Sequence, residues 1–249
     1  MKNSLILELK RLLKNFTIGE VLIIEARYDE QYKALKFLHK NLREKKYFCS
    51  LALLNALVSY QLTGTGEDYW WEFAKYFSEI KWISNPVNAI VKFLNQSKYN
   101  RRFLRTKIMR LRKIEKTIQV IINKQDYYIS NILALRDLIA GSLKADIKAK
   151  TIVFAIKMFN YACRISSRKN YILPYEISIP VDIRIKALSR KLGVNRNLNE
   201  FWERLALDVQ IPPLHLDSLL WISIGMIRRK KNPQNKKLRE LINFLKPIV

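Results

Sequence analysis

The sequence is poor in the residues that build metal centres and nucleophile–base pairs. It contains two cysteines, Cys49 and Cys163, and two histidines, His39 and His215. No CxxC or HxxxH pair occurs, so the spacing typical of a closed zinc site or a four-cysteine iron–sulfur cluster is absent. The same scarcity disfavours Cys–His and Ser–His hydrolases, because each histidine would have to meet its partner by chance. We therefore expect no metal site.

Glycine and long apolar runs are also scarce. Only six glycines occur, and lysine and isoleucine are abundant, a composition typical of proteins from heat-loving organisms. The longest apolar runs, such as Ser218 to Ile227, are well short of the roughly 20 residues that cross a bilayer. Glu8, Lys10 and Arg11 interrupt the first segment before a signal-peptide core can form. We expect an intracellular protein, in the cytoplasm or nucleoid, with no membrane partner.

Acidic residues are the third class in short supply. Lysine and arginine number 46 against 21 acidic residues, which gives a formal charge of +25 and a pI near 10.1. Such a field attracts polyanions, so nucleic acid or an anionic membrane surface is the expected partner, unless a lysine-rich proteome simply raises every pI.

Basic residues are densest from Lys98 to Lys116, where helical spacing predicts a basic side and an apolar side. The basic side comprises Arg101, Arg105 and Arg112, and the apolar side comprises Phe103, Ile108, Leu111 and Ile114. An ordinary solvated helix face is the alternative.

The dominant pattern of the chain is helical. Hydrophobic residues make up 49% and charged residues 27%, the balance of a folded protein. Apolar residues recur three and four positions apart, as in Leu5, Leu9 and Leu12, and runs of period two are short. Proline, glycine and asparagine divide the chain into about ten helices. We predict an all-α protein of two lobes with a cleft between them.

The stretch from Lys150 to Asp182 contains a candidate catalytic pair. Lys150 opens the apolar pattern KTIVFAIK, and 32 residues later Asp182 follows Pro180 and precedes another helical pattern. A lysine amine that is neutral part of the time is a nucleophile, and burial or a neighbouring cation such as Lys157 favours that form. An ionised carboxylate at a helix start suits stabilisation of an oxocarbenium-like centre. The alternatives are a solvated lysine and a plain N-cap, and an N-cap is compatible with the catalytic role.

A glycine-bearing segment precedes this pair. Leu138 to Leu143 lies between two helical patterns, the first ending near Ile139. A hairpin here would expose the N–H groups of Gly141 and Ser142 at a helix start, where they would bind one DNA phosphate. Many helix pairs are joined by a glycine turn without such a role.

The chain resembles the archaeal 8-oxoguanine DNA glycosylase family called AGOG, a branch of the helix-hairpin-helix DNA glycosylases. The stretches that carry the resemblance are LLNALVSYQLTGTGEDYWWEFAKYF (Leu53 to Phe77), KTIVFAIKMFNYA (Lys150 to Ala162), LPYEISIPVDIRI (Leu173 to Ile185) and IPPLHLDSLLWI (Ile211 to Ile222). The resemblance spans nearly the whole chain and is poorest from about Val87 to Asn131.

The resemblance implies a single DNA glycosylase unit over residues 1–249, with two helical lobes, an active site in the cleft and the helix-hairpin-helix at about 132–160. It implies a bifunctional glycosylase and apurinic-site lyase that acts on damaged DNA containing 8-oxoguanine. A monomer is the default expectation. Lys150 would attack the sugar C1′ and form a Schiff base, with Asp182 as its partner carboxylate. No cysteine cluster is present, so the iron–sulfur branch is excluded and no cofactor is expected.

By the same resemblance, Phe154 and Trp221 would sandwich the extruded purine. The polar contacts to the base edge would come from Gln31 and Asp217, and Trp70 and Lys157 would line the pocket. The alternatives are core packing for the two aromatic residues, and solvated or helix-start positions for Gln31 and Asp217. Trp71, next to Trp70, leaves the tryptophan assignment open by one residue.

Three other functions remain open from the sequence. The first is a glycosylase of the same fold that acts on another damaged base. The second is a non-enzymatic, basic helical protein that binds nucleic acid, in which Lys150 is one cation among many. The third is a protein of the membrane surface, which would bind liposomes in competition with DNA.

Overall fold

The computed structural model describes residues 2–249, and all regular structure in that range is helical. The helices are α1 (Lys2–Lys14), α2 (Ile18–Tyr28), α3 (Glu30–Asn41), α4 (Phe48–Val58), α5 (Gly66–Glu79), α6 (Pro86–Gln96), α7 (Leu104–Asn123), α8 (Gln125–Ser130), α9 (Ile132–Leu143), α10 (Lys150–Ser167), α11 (Ile183–Lys191), α12 (Leu198–Val209), α13 (Pro213–Arg228) and α14 (Lys236–Leu245). A short 3₁₀ helix, Lys45–Tyr47, precedes α4.

The all-α prediction is confirmed, although there are more helices than the punctuation indicated. Single residues that are neither glycine nor proline separate some neighbours: Asp29 divides α2 from α3, and Lys124 divides α7 from α8. No helix within residues 2–249 is both long and apolar enough to cross a membrane.

The helices form two compact units. The terminal unit comprises α1, α2 and α11–α14, and the central unit comprises α3–α10, from Glu30 to Tyr171.

The terminal unit packs around an apolar core to which each of its helices contributes. Leu13 of α1, Leu188 of α11, Trp202 of α12, Leu219 of α13 and Leu241 of α14 are all fully buried in it. A capping box starts α2, where the Thr17 hydroxyl accepts from the Glu20 N–H and the Glu20 carboxylate accepts from the Thr17 N–H.

The central unit is built around α4, which is buried along its entire length because no position in FCSLALLNALV carries a charge. Helix α10 packs against α4 and α3 and buries most of its residues from Ile152 onward. This packing leaves the first residue of α10 exposed.

Helix α7 departs from the predicted division into a basic and an apolar side. It begins at Leu104, and Phe103 lies outside it, 61% exposed and in the left-handed region at φ 56°. Leu111 and Ile114 are buried as predicted, but so is Lys107, one of the basic residues between Lys98 and Lys116.

Candidate active site

The turn before α10 is not where the glycine pattern predicted. Helix α9 continues through Gly141 and Ser142 to Leu143, so the prediction that these two residues form the hairpin is wrong. Lys144, not glycine, adopts the left-handed conformation that ends the helix (φ 50°), and the Ala145 N–H donates to the Ala140 carbonyl at 2.9 Å. The connecting turn is therefore 144–149.

Contacts to α7 hold the end of α9 in place. The Ser142 hydroxyl donates to the Leu138 carbonyl at 2.8 Å and lies 2.7 Å from the Thr117 hydroxyl. Lys113 Nζ donates to the Leu143 carbonyl at 3.1 Å. The turn that follows thus starts from a fixed point on the central unit.

Lys150 is the first residue of α10 and is exposed. The residue after it is anchored, because Arg110 Nη2 of α7 donates to the Thr151 hydroxyl at 2.7 Å. This bond fixes the backbone beside Lys150 and holds a guanidinium charge close to the helix start. The exposed lysine amine is accessible to a large substrate.

The predicted residues on α10 form one stripe. Lys150, Phe154 and Lys157 are spaced four and three residues apart, which places them on the same helical face. Exposure falls along the stripe, since Lys150 is exposed, Phe154 is partly buried and Lys157 is 2% exposed. Further along, Lys157 Nζ lies 5.8 Å from the centre of the Tyr161 ring. Phe154 is therefore not an ordinary core residue.

Of the two adjacent tryptophans, Trp70 is the one that meets this stripe. The ring of Trp70 packs edge-on against Phe154, with the centroids 6.0 Å apart. Trp70 is fully buried, and its indole N–H has no hydrogen-bond partner within residues 2–249. Trp71 is partly exposed and donates to Glu30 at 3.3 Å.

Gln31 lies in the first turn of α3 and is 4% exposed, so it is not a solvated helix start. A methyl group added at Gly66, where α5 begins, would lie 3.7 Å from Gln31 Nε2. Gln31 and the helix that carries Trp70 are thus neighbours in the central unit.

Asp182 lies in the terminal unit as the N-cap of α11. Its Oδ1 accepts from the Ile185 N–H at 2.9 Å, which confirms the predicted cap. The residue is partly exposed, and within the described residues Oδ2 has no hydrogen-bond partner. One oxygen holds the helix, and the other is available to a second donor.

Helix α13 carries Asp217 and Trp221 one turn apart on one face. Asp217 is 6% exposed and follows the first turn, so it is not a plain helix-start acid. Trp221 is partly exposed, and the guanidinium carbon of Arg184 lies 3.3 Å from the centre of its ring.

His215 supports this helix in a way that the sequence did not predict. Its Nε2 accepts from the Leu173 N–H at 3.0 Å, so that nitrogen carries no proton. The ring proton is on Nδ1, which donates to Glu25 Oε1 at 2.8 Å, and both side chains are fully buried. One imidazole therefore ties α13, α2 and the non-helical segment that contains Leu173 together. His215 lies inside a conspicuous stretch, IPPLHLDSLLWI, but its partners are distant in sequence.

No metal site is found, since nowhere in residues 2–249 do three His, Cys, Asp or Glu side chains come close enough to hold an ion. The structure places Gln31, Trp70, Lys150, Phe154 and Lys157 in the central unit. The remaining predicted residues, Asp182, Asp217 and Trp221, lie in the terminal unit.

Comparison with known proteins gives consistent matches along the chain. The AGOG family model, described as N-glycosylase/DNA lyase, matches residues 10–247, a range that includes 87–131. A protein of Thermococcus kodakarensis named N-glycosylase/DNA lyase is 44% identical over 215 residues, which are 86% of this chain and 81% of the relative. One of the same name from Methanopyrus kandleri is 37% identical and covers 95% of this chain and 97% of its own.

Among solved structures, the chain is similar to an 8-oxoguanine DNA glycosylase from Pyrobaculum aerophilum, crystallised in complex with 8-oxoguanosine. The TM-score is 0.83 at 30% identity, and the match covers 97% of each chain.

Proposed function

Since the chain belongs to the AGOG family of N-glycosylase/DNA lyases, we propose that it removes 8-oxoguanine from DNA and then nicks the strand as an apurinic-site lyase. The observation that carries the proposal is the stripe on α10. It presents an exposed lysine at the helix start, and an aromatic residue and a buried cation follow on the same face.

Lys150 is the proposed nucleophile. Its amine lone pair forms a bond to the sugar C1′, and the C1′–N9 bond breaks with its electrons going to the departing base, which takes up a proton. Opening of the sugar gives a Schiff base. Loss of a C2′ proton then expels the 3′ phosphate by β-elimination. The Arg110–Thr151 bond supports this role, because it fixes the backbone next to the nucleophile.

Asp182 is the proposed partner of Lys150. A carboxylate can take the proton that the lysine ammonium must lose and can balance the positive charge that develops on the sugar. The cap geometry supports this assignment, since it fixes one oxygen on the Ile185 N–H and leaves the other without a partner in the described residues.

Phe154 and Trp221 are the proposed stacking residues, and their partial exposure supports that role. The Trp70 N–H is a buried donor without an acceptor, a state that costs about 1–3 kcal/mol. A carbonyl oxygen of an oxidised purine would satisfy it. Gln31, Lys157 and Asp217 are proposed as the other polar contacts, and all three are nearly buried, as residues lining a selective pocket are.

DNA binding is proposed to depend on phosphate contacts, for which the charge of +25 is suited. The phosphate contact expected at Gly141 and Ser142 is proposed instead for the turn 144–149. There, the N–H groups of Asp146 and Ile147 make no hydrogen bond in the described part of the chain, and both residues are exposed.

The test is borohydride trapping on a duplex with one 8-oxoguanine, beside an undamaged duplex and duplexes with other damaged bases. We expect a covalent protein–DNA band for the wild type that requires the lesion, and its loss in Lys150→Gln. Lys169→Gln is the matched control, because Lys169 is an exposed lysine just beyond the C-terminal end of α10. It should retain the band.

Other outcomes would contradict specific parts of the proposal. Base release without a trapped band would mean that Lys150 is not a Schiff-base nucleophile. A band on another lesion but not on 8-oxoguanine would change the substrate. Equal binding of damaged and undamaged duplexes with no base release would favour a non-enzymatic DNA-binding protein.

A further inference from the structure

The contact between Arg184 and Trp221 has no part in the reaction described above. The Arg184 guanidinium carbon lies 3.3 Å from the centre of the Trp221 ring, so the two planar groups are in van der Waals contact. No base can stack on that face of Trp221 while the guanidinium remains there. We infer that Arg184 is a placeholder for the extruded base: it covers Trp221 in the free protein and leaves when a purine enters. This inference rests on the proposed function.

The position of Arg184 is poor for helix stability and is not explained by it. Arg184 is the second residue of α11, and a cation in the first turn opposes the helix dipole. The first turn of α11 contains no acidic residue to offset this charge.

The location also allows the side chain to move. Arg184 is partly exposed, and the preceding Ile183 is 83% exposed, so the start of α11 is at the surface. Although Arg184 Nη1 is buried, the residue precedes the buried positions of α11, Ile185 and Leu188, so its side chain can change rotamer without moving them. Once displaced, the guanidinium is a suitable partner for a DNA phosphate.

A placeholder competes with the ligand, so its removal should raise the affinity for the ligand and not lower it. Deleting a side chain that contacts a ligand weakens binding, whereas deleting one that competes with the ligand strengthens it. Arg184→Ala should tighten binding of both 8-oxoguanosine and guanosine by roughly fivefold, which corresponds to one partly exposed cation–π contact. The factor should be similar for both nucleosides, since both stack on the ring.

The experiment is calorimetric titration of the full chain with 8-oxoguanosine and with guanosine. The variants are Arg184→Ala, Arg184→Lys, Trp221→Ala and the double variant, with Arg190→Ala as an exposed arginine control on the same helix. The gain from Arg184→Ala should vanish in the Trp221→Ala background, a coupling that a merely structural role would not produce. Arg184→Lys should bind with intermediate affinity.

Weaker or unchanged nucleoside binding by both Arg184 variants would overturn the inference. The proposed function would still stand if the wild type binds 8-oxoguanosine and excises the base. A gain that persists without Trp221 would also overturn it. If the wild type neither binds 8-oxoguanosine nor releases the base from DNA, the proposed function fails and the inference fails with it.

Discussion

His215→Ala is the substitution whose effect the structure defines most clearly. The imidazole accepts from the Leu173 N–H at 3.0 Å and donates to Glu25 at 2.8 Å, in a site where neither side chain is exposed. Alanine removes both bonds and leaves the volume of the ring empty. Because the site is buried, bulk water does not replace the two lost hydrogen bonds.

The size of the effect follows from these two bonds. A buried N–H that loses its acceptor costs about 1–3 kcal/mol, and removing the His215 donor from the buried Glu25 carboxyl costs a similar amount. We therefore expect His215→Ala to lower the free energy of unfolding by about 4 kcal/mol. In a protein of this size, that corresponds to a fall in Tm of roughly 8–16 °C.

Ser223→Ala is the matched control, because Ser223 is equally buried on α13 but donates only to the Leu219 carbonyl of its own helix. It should cost less than about 1 kcal/mol. Thermal and urea unfolding followed by circular dichroism would measure both variants. If His215→Ala costs no more than Ser223→Ala, the buried imidazole does not join the three segments as described.

Two further predictions concern Asp182 and Lys107. Asp182→Asn should keep the cap on α11, because asparagine caps as well as aspartate, so unfolding should change by less than about 1 kcal/mol while single-turnover base release falls by about 100-fold or more. A near-wild-type rate would exclude Asp182 from the chemistry. Burial lowers the pKa of Lys107 to about 8. Between about pH 8 and the ordinary lysine pKa, the unfolded chain therefore binds more protons than the folded chain. The free energy of unfolding should rise with pH across that window. The gain in the free energy of unfolding should be at most about 3 kcal/mol and should be absent from Lys107→Met. Urea unfolding across this pH range measures it, and the same pH dependence in both proteins would contradict the prediction.

Local features of the site were predictable because they depend on neighbours in sequence. The cap at Asp182 follows from an aspartate just before a helical pattern, and the stripe of Lys150, Phe154 and Lys157 follows from helical spacing. The hairpin was predicted at Gly141 because glycine is common in turns, whereas the helix ends at Lys144. A left-handed non-glycine residue leaves little trace in a sequence.

Burial of polar residues was the least predictable feature. Lys107 resembles its basic neighbours in sequence, yet it is fully buried, donates to Asn100 and lies 4.7 Å from the Tyr60 ring. Gln31 is likewise buried at a helix start that could equally have been solvated. The partners of Lys107 lie in the loops after α4 and α6, and Gln31 lies beside the start of α5, so helical periodicity does not record these contacts.

The sequence by itself determined the helical class, the strong positive charge, the scarcity of soft metal ligands and the family resemblance, because composition, periodicity and long shared stretches carry these properties. The tertiary structure alone decided which tryptophan meets Phe154, that His215 links Leu173 to Glu25, and that Arg184 covers Trp221. These contacts join residues far apart in the chain. Their geometry is set by how the helices pack.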